Sequence, residues 1–500
     1  MRKNLLATVF CLFMITVQAQ YITPGTGINW NLGDLVENSG GVITLEINGQ
    51  YSINNNLTLS NADTLTIVTP EEINVLDEVL IIIKGVLLID PPEPGIVFFK
   101  AMNNYSTGFR FEDNDGSSLS RTYFRKAGGI DLVNADIQFF NCDFTEFNQE
   151  NSTGTIDLFQ SSPLISACSF SDNFGPAVMS GANGSSSPQI FNCEIISNVM
   201  SNANMPQINL GTSGADSIRI VGCEIIGNPA NIMAGGIAIT TLAGGSIKAR
   251  IEGNIIKNNR YGITAYGYNI GSVIGNNEIR DNNTQNLPMQ GGSGINYWGN
   301  ASNQSIVTGN IISGNLWGVT IQSAAQPNLG QLEGEIYNPG MNQLYNNGNS
   351  GQLYDLYNNT PNAIMAENNY WGTMAPDSVE MRIFHQPDDP TLGWVDYQPL
   401  FFPPVGIVDN AGSVKSQLVE IIYPNPANLS FYLKLKNRPE NPEEKPLIEL
   451  YNLNGEKLSA CEIHETEKPV KMWIPEGVSG VVLIKIKYIG KEETLKIVVR

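Results

Sequence analysis

Histidine is almost missing from this chain: its 500 residues include only His385 and His464. That shortage removes the side chain most often used as a general base near neutral pH and as a ligand for zinc. Charge is scarce too. Charged residues make up 15% of the chain, against about 25% in ordinary globular domains. Basic residues are the scarcer sign, 28 Lys+Arg against 48 Asp+Glu, for a formal net charge of -20. A nucleic-acid or anionic-membrane binder needs a basic face, so those partner classes are excluded in general terms. Beyond the N-terminus no stretch approaches the roughly 20 apolar residues of a membrane-spanning helix, so no span is expected. Asparagine and glycine fill the space instead, with 58 and 49 residues, and a hydrophobic content of 42% supports a large core.

Residues 1–19 have the layout of a secretory signal. Arg2 and Lys3 give a positive start, Leu5 to Val17 an apolar run, and Val17-Gln18-Ala19 a small-residue cleavage site before Gln20. That run, about 13 residues, is too short to cross a bilayer. Cys11 follows Phe10, unlike a lipoprotein acylation site, where a small residue precedes the cysteine.

Composition changes near residue 413. From Ser413 to Arg500, 13 Lys+Arg stand against 12 Asp+Glu. Alternation becomes strong over residues 481–487 and 495–499, which predicts a small β-sandwich. The segment opens with Tyr423-Pro424-Asn425-Pro426-Ala427, continues with Leu450-Tyr451-Asn452-Leu453-Asn454-Gly455, and closes on a strand at the C-terminus. With those motifs it resembles the type A sorting domain of the Bacteroidetes type IX secretion system. One departure is Val481, where a tyrosine usually follows the glycine equivalent to Gly480. The resemblance implies the secretion machinery as a partner, passage across the outer membrane, removal of the domain, and release or surface attachment.

Between the ends one pattern recurs: Cys or Asn, any residue, an apolar residue, two variable residues, then usually Asn. It runs Cys168 to Asn173, Cys193 to Asn198, Cys223 to Asn228, Asn254 to Asn259, Asn277 to Asn282, Asn310 to Asn315 and Asn342 to Asn347, with a looser copy at Cys142. Successive starts lie 26, 25, 30, 31, 23, 33 and 32 residues apart. A glycine and a branched apolar residue often follow, as in Gly262-Ile263, Gly294-Ile295 and Gly318-Val319. A constant local pattern at a varying period suits a β-solenoid, where stacked strands hold register while one turn bulges freely. Asparagine tolerates the left-handed turn backbone, and identical amides one strand apart can bond along the axis.

These repeats resemble the right-handed parallel β-helix (PbH1) repeats of the pectate-lyase, or pectin lyase-like, superfold. Leu57-Thr58-Leu59 and Leu80-Ile81-Ile82-Ile83 look like its early coils, and Glu367 to Thr373 with Gly393 to Pro399 like its terminal coil and cap. The expected organisation is all-β: signal 1–19, β-helix with N-terminal cap 20–365, terminal coil, cap and linker 366–412, sorting domain 413–500. A monomer is expected. The fold alone does not carry a function, since it hosts lyases, hydrolases, esterases, epimerases, adhesins and spacers.

Five cysteines remain after residue 19, and four of them, Cys142, Cys168, Cys193 and Cys223, share one repeat position. Stacked on successive coils they would form a ladder of free thiols, with one or two disulfides or a metal as alternatives. The Asn-Thr-Asp, Asp-Asp and Gly-His-Gly elements of pectin hydrolases and the Trp-x-Asp-His of pectate lyases are missing. No histidine falls in the repeats. Triad or Cys-His catalysis is therefore excluded. Uronate β-elimination, with a Lys or Arg base, is the one lytic route left open.

Residues 20–412 contain 13 Lys+Arg and 36 Asp+Glu, yet six of the basic residues fall within 219–280: Arg219, Lys248, Arg250, Lys257, Arg260 and Arg280. Aligned on the repeat, Arg219 stacks under Arg250 and Lys257 under Arg280. Like charges opposed on neighbouring strands are unfavourable, so the window suggests a compensating anionic polysaccharide; pairing with Glu252, Glu278 and Asp281 is the bland alternative. Calcium is a weaker possibility, at Asp143, Glu194, Glu224, Glu278 and Asp388-Asp389, without an EF-hand loop; no cofactor is otherwise expected. Tyr261, Tyr266, Tyr268, Tyr297, Trp298 and Trp317 lie on the same coils. They would stack on sugar faces if exposed and serve as core or ladder if not. The expected function is a secreted or surface glycan-interacting protein. A polysaccharide lyase and a structural or adhesive solenoid remain as alternatives.

Overall fold

Up to three short strands, separated by turns, make each coil of residues 20–401. The computed structural model describes residues 20–147, 153–182, 184–334, 336–401, 418–423, 430–436, 445–452, 455–463, 470–475, 477–488 and 491–499. Two compact units emerge, Met1–Pro404 and Val405–Arg500.

In the first unit, strands at equivalent places on successive coils join into three long sheets. The first sheet has 14 strands, from Tyr21–Ile22 to Ile383–Phe384. The second has 13, from Ile43–Leu45 to Gln343–Tyr345, and the third 11, from Asn29–Trp30 to Asn303–Thr308. One coil shows the path: Gly235–Thr240 in the first sheet, Ile247–Glu252 in the third, Ile255–Lys257 in the second. Within these three sheets pairing is parallel except for one hairpin at the start, Ile43–Leu45 against Tyr51–Ile53; a second short hairpin, Gly348–Asn349 with Gln352–Leu353, lies outside them. This is the parallel β-helix expected from the repeats. The α-helix Leu32–Asn38 follows an Asn31/Asp34 capping box and buries Leu32 and Leu35 at the start of the solenoid.

Alternation along each strand sends every second side chain inward, and parallel register stacks equivalent residues into rows. One inward row of the second sheet reads Phe99, Phe124, Phe144, Phe170, with ring centroids 5.3, 5.5 and 4.6 Å apart. Ile195, Ile225, Ile256, Ile279, Ile312 and Leu344 continue it, all buried. Gly294 shows why glycine recurs before the first-sheet strand. A Cβ there would lie 2.8 Å from the Gly318 carbonyl oxygen and 2.6 Å from an Ile312 methyl.

The repeat position itself forms a buried ladder. Cys142, Cys168, Cys193 and Cys223 are free thiols. Hydrogen bonding with Cys168, then burial, pushes the Cys193 thiol up to about 12, so it stays protonated and inert. From Asn254 onward amides take over. Nδ2 of Asn254, Asn277, Asn310 and Asn342 each donates to the next Oδ1, at 2.9 Å throughout, ending at Asn369. A second ladder runs Asn173, Asn198, Gln207, Asn259, Asn282, Asn315, Asn347 and ends on the Asp355 carboxylate. The repeat pattern assigns Asn228 to this ladder. Instead Asn228 accepts from Ala230 in its own turn, and Gln207 bridges Asn198 to Asn259 from a first-sheet strand.

The second unit is a β-sandwich. Val419–Tyr423, Ser430–Leu435 and Val470–Trp473 form one sheet; Lys457–Glu462, Leu447–Tyr451, Gly480–Tyr488 and Lys491–Val499 form the other, with antiparallel pairing throughout. Phe431, Leu433, Ile448, Leu450, Ile484 and Ile497 form its own core. Tyr423 ends a strand, and Gly455 takes a φ of 82° in the turn before Lys457. Pro424, Asn425, Pro426 and His464, like the signal segment 1–19, lie outside the described residues.

Candidate functional site

The six basic residues singled out above occupy three separate places. Arg219 pairs with Arg250 on the third sheet, and Lys248 projects from the same strand as Arg250. Lys257 pairs with Arg280 on the second sheet. Arg260 lies in a turn leading to the first sheet. The stacking follows the repeat, but a single basic patch does not result. Strand neighbours also supply the compensating charge: Arg250 makes a two-pronged contact with Glu252, at 3.0 and 2.9 Å, and Arg280 lies 2.9 Å from Glu278. One cation of each stacked pair thus has a carboxylate partner on its own strand.

The calcium candidates are similarly dispersed. Asp143, Glu194, Glu224 and Glu278 follow one outward row of the second sheet, interrupted by Ser169 and Ile255. Asp388 and Asp389 accept hydrogen bonds from His385 and Thr391 within their own turn. Among the described residues no three His, Cys, Asp or Glu side chains converge. His385 is buried with both ring nitrogens engaged, Nδ1 accepting from the Val395 N–H and Nε2 lying 3.0 Å from Glu380. It ties the cap together.

A groove is found on the outer face of the first sheet. Two outward rows cross it. One reads Thr264, Asn296, Thr320, Tyr357; the other Tyr266, Trp298, Gln322, Asn359. Residues 283–292 bulge from the turn before the strand Ser293–Gly299 and wall one side. The cavity is about 400 Å³, and none of its lining residues is charged. Its floor is a network of neutral polar groups. Asn296 Nδ2 donates to Thr264 Oγ1 at 2.9 Å, Thr320 Oγ1 donates to Asn296 Oδ1 at 2.8 Å, and Gln322 Nε2 to the same oxygen at 3.3 Å. Asn296 keeps one amide hydrogen, and Gln322 keeps its carbonyl and one hydrogen, for a ligand. Trp317, Tyr357 and Tyr261 add aromatic surface, and Met289 an apolar tip.

The aromatic residues thus divide by orientation. Tyr297 points inward and is buried. Tyr266 and Trp298 stack on each other at 4.4 Å and 7°, as a ladder, and Tyr268 is exposed. Of the six aromatic residues singled out from the sequence, Tyr261 and Trp317 line the groove. Thr264, Asn296, Thr320, Gln322, Tyr357 and Asn359 were not singled out from the sequence. The signal was present for three of them: the residue after each Gly-apolar pair, as in Gly294-Ile295-Asn296, faces outward on the first sheet.

Further along the same face Asp131 and Asp157 sit opposite each other on adjacent strands. Burial, then the Asp131 charge, raises Asp157 to about 6 from 3.8. The folded state therefore holds a proton that the unfolded state releases, and stability falls as pH rises from about 4 through about 6. Discounted for partial exposure, the loss is about 1–3 kcal/mol. Asp157→Asn should flatten that part of the pH profile and exceed the parent in stability at pH 7. Urea midpoints at pH 4.5 and 7 test this; parallel profiles for the two proteins would refute it.

Comparison with known proteins bears on the two units differently. No curated protein sequence matches. Among solved structures, the receptor-binding protein of bacteriophage Det7, a podoviral tailspike in a myovirus, is similar at 12% identity and a TM-score of 0.20, over 94% of this chain and 78% of that one. Residues 421–500 match the family profile described as the secretion system C-terminal sorting domain. No described helix is long and apolar enough to cross a membrane. The chain is a parallel β-helix that carries a type IX secretion sorting domain, which sends it to the cell surface or the extracellular space.

Proposed function

We propose that this exported solenoid binds an uncharged glycan in the first-sheet groove, and that residues 1–19 begin its export as a secretory signal. The carrying observation is the lining itself: aromatic side chains flank a floor of amides and hydroxyls, with no charge. Sugars present hydroxyls that exchange hydrogen bonds with amides, and C–H faces that pack on aromatic rings. A uronate would meet no cation in this groove, and β-elimination would find no Lys or Arg base among its lining residues. The reading therefore favours neutral over anionic chains, and binding over lysis.

Calorimetry of the purified protein tests it, with neutral gluco-, xylo- and manno-oligosaccharides set against pectate and alginate. Binding of at least one neutral series is expected, together with a loss of about 2 kcal/mol in Trp317→Ala. Tighter binding of a uronate than of every neutral chain would overturn the proposal, as would release of unsaturated uronate.

A further inference from the structure

Arg260 is the odd cation of this protein. It is 7% exposed, and burial pulls its pKa down. Each of its three hydrogen-bond partners is neutral. Nε donates to Gln285 Oε1 at 2.6 Å, while the terminal nitrogens donate to the Gln290 carbonyl and to Asn204 Oδ1. A buried guanidinium is costly even when paired with a carboxylate. Here acidic residues outnumber basic ones, yet among the described residues no carboxylate pairs with it. The guanidinium fork is instead used as a bracket.

What it brackets is the groove wall. Gln285 and Gln290 belong to residues 283–292, and Asn204 to the turn two coils earlier. The Arg260 carbonyl also accepts from the Gly292 N–H. On the other side Trp317 Nε1 donates to the Pro288 carbonyl at 3.0 Å. The segment is therefore pinned at 285 and 290 by Arg260 and at 288 by Trp317. Between the pins its tip is exposed and apolar: Leu287 is 47% and Met289 93% exposed. Ten residues with few buried apolar contacts would otherwise sample many conformations, and ordering them on binding would cost affinity.

We infer that Arg260 is a positioning residue for the glycan groove: it holds residues 283–292 as a preformed wall and does not touch the ligand. The inference rests on the groove being the glycan site. The three acceptors are met by three separate nitrogens of one planar fork, whereas a lysine has its three donors on a single nitrogen.

The test compares the full chain with Arg260→Lys, Arg260→Gln and Gln285→Leu. The last removes one bracket contact from a half-exposed site and leaves the core alone. Two readouts are taken: affinity for the neutral oligosaccharide bound by the parent, and the rate of chymotryptic cleavage after Met289. Arg260→Gln is expected to cleave at least tenfold faster and bind at least tenfold more weakly. Gln285→Leu should shift both in the same direction, and Arg260→Lys should fail to restore either although it keeps the charge. Unchanged cleavage would overturn the bracket, as would full rescue by lysine. Faster cleavage with unchanged affinity would overturn the link to binding while the groove assignment stood. A parent protein that binds no neutral glycan would overturn the groove assignment and the positioning role with it, leaving cleavage to report on the bracket alone.

Discussion

Replacing Asn310 with alanine should destabilise the solenoid by about 3–6 kcal/mol, the sum expected when several buried polar groups lose partners together. Its Oδ1 accepts from the backbone N and Nδ2 of Asn277, at 3.0 and 2.9 Å. Its Nδ2 donates to the carbonyls of Ile274 and Thr308 and to Asn342 Oδ1, at 2.8, 3.1 and 2.9 Å. Alanine strands two donors on one coil and several acceptors around it, all away from water, and opens a small void. Asn310→Cys should lose less, because the same position is a buried thiol on four earlier coils, where the Cys193 N–H donates to the Cys223 sulfur at 3.5 Å. Solenoid coils contact mainly their neighbours, so the loss should appear first as local opening. Faster amide exchange in coils 277–342, with a lower urea midpoint, is the expected observation. A midpoint shift worth less than about 1 kcal/mol would mean the ladder is not a stabilising element.

The ladder also shows how far the sequence could be read. Residue type at the repeat position carries register, so the stacking of Arg219 on Arg250 and Lys257 on Arg280 follows from spacing alone. The spacing of 33 between Asn277 and Asn310 leaves room for a long turn, as the spacings of 31 and 32 elsewhere do, and in this coil the turn before Ser293 becomes the groove wall. Period and alternation say which side chains point outward. They do not say which of three outward faces closes into a groove, because that depends on where a turn folds after leaving the coil. Arg260 shows the same limit: its hydrogen-bond partners Gln285 and Gln290 belong to the turn and not to the repeat, so spacing does not reveal them. Asn228 fails differently. It matches the pattern letter for letter, yet its side chain caps its own turn by accepting from the Ala230 N–H, and Gln207 fills the gap from another strand.

Asp355→Ala should cost about 3–5 kcal/mol, the range for leaving one partner of a buried pair uncompensated. The second amide ladder is directional: each side chain donates to the next member of the row, from Asn173 through Gln207 to Asn347. Such a row presents aligned N–H ends at its last coil, and the group that receives them should accept only. Asp355 meets that need. Its side chain is fully buried, Oδ1 accepts from the Asn347 N and Nδ2 at 3.0 and 2.8 Å, and Oδ2 lies 3.3 Å from Arg382, itself 18% exposed. The first ladder ends without a charge, because Asn369 Nδ2 turns back to the carbonyls of Leu329, Ala366 and Glu367. Asp355→Asn therefore separates the two duties of the carboxylate. It can still accept from Asn347, but its amide hydrogens or a neutral oxygen would then face Arg382. An intermediate loss is expected for asparagine and the full loss for alanine. Arg382→Met should be less harmful in the Asp355→Ala background than alone, a coupling read from urea midpoints of the four proteins in the cycle. Additive losses would show that Asp355 and Arg382 act independently, and an alanine variant within about 1 kcal/mol of the parent would show that the ladder needs no terminal acceptor.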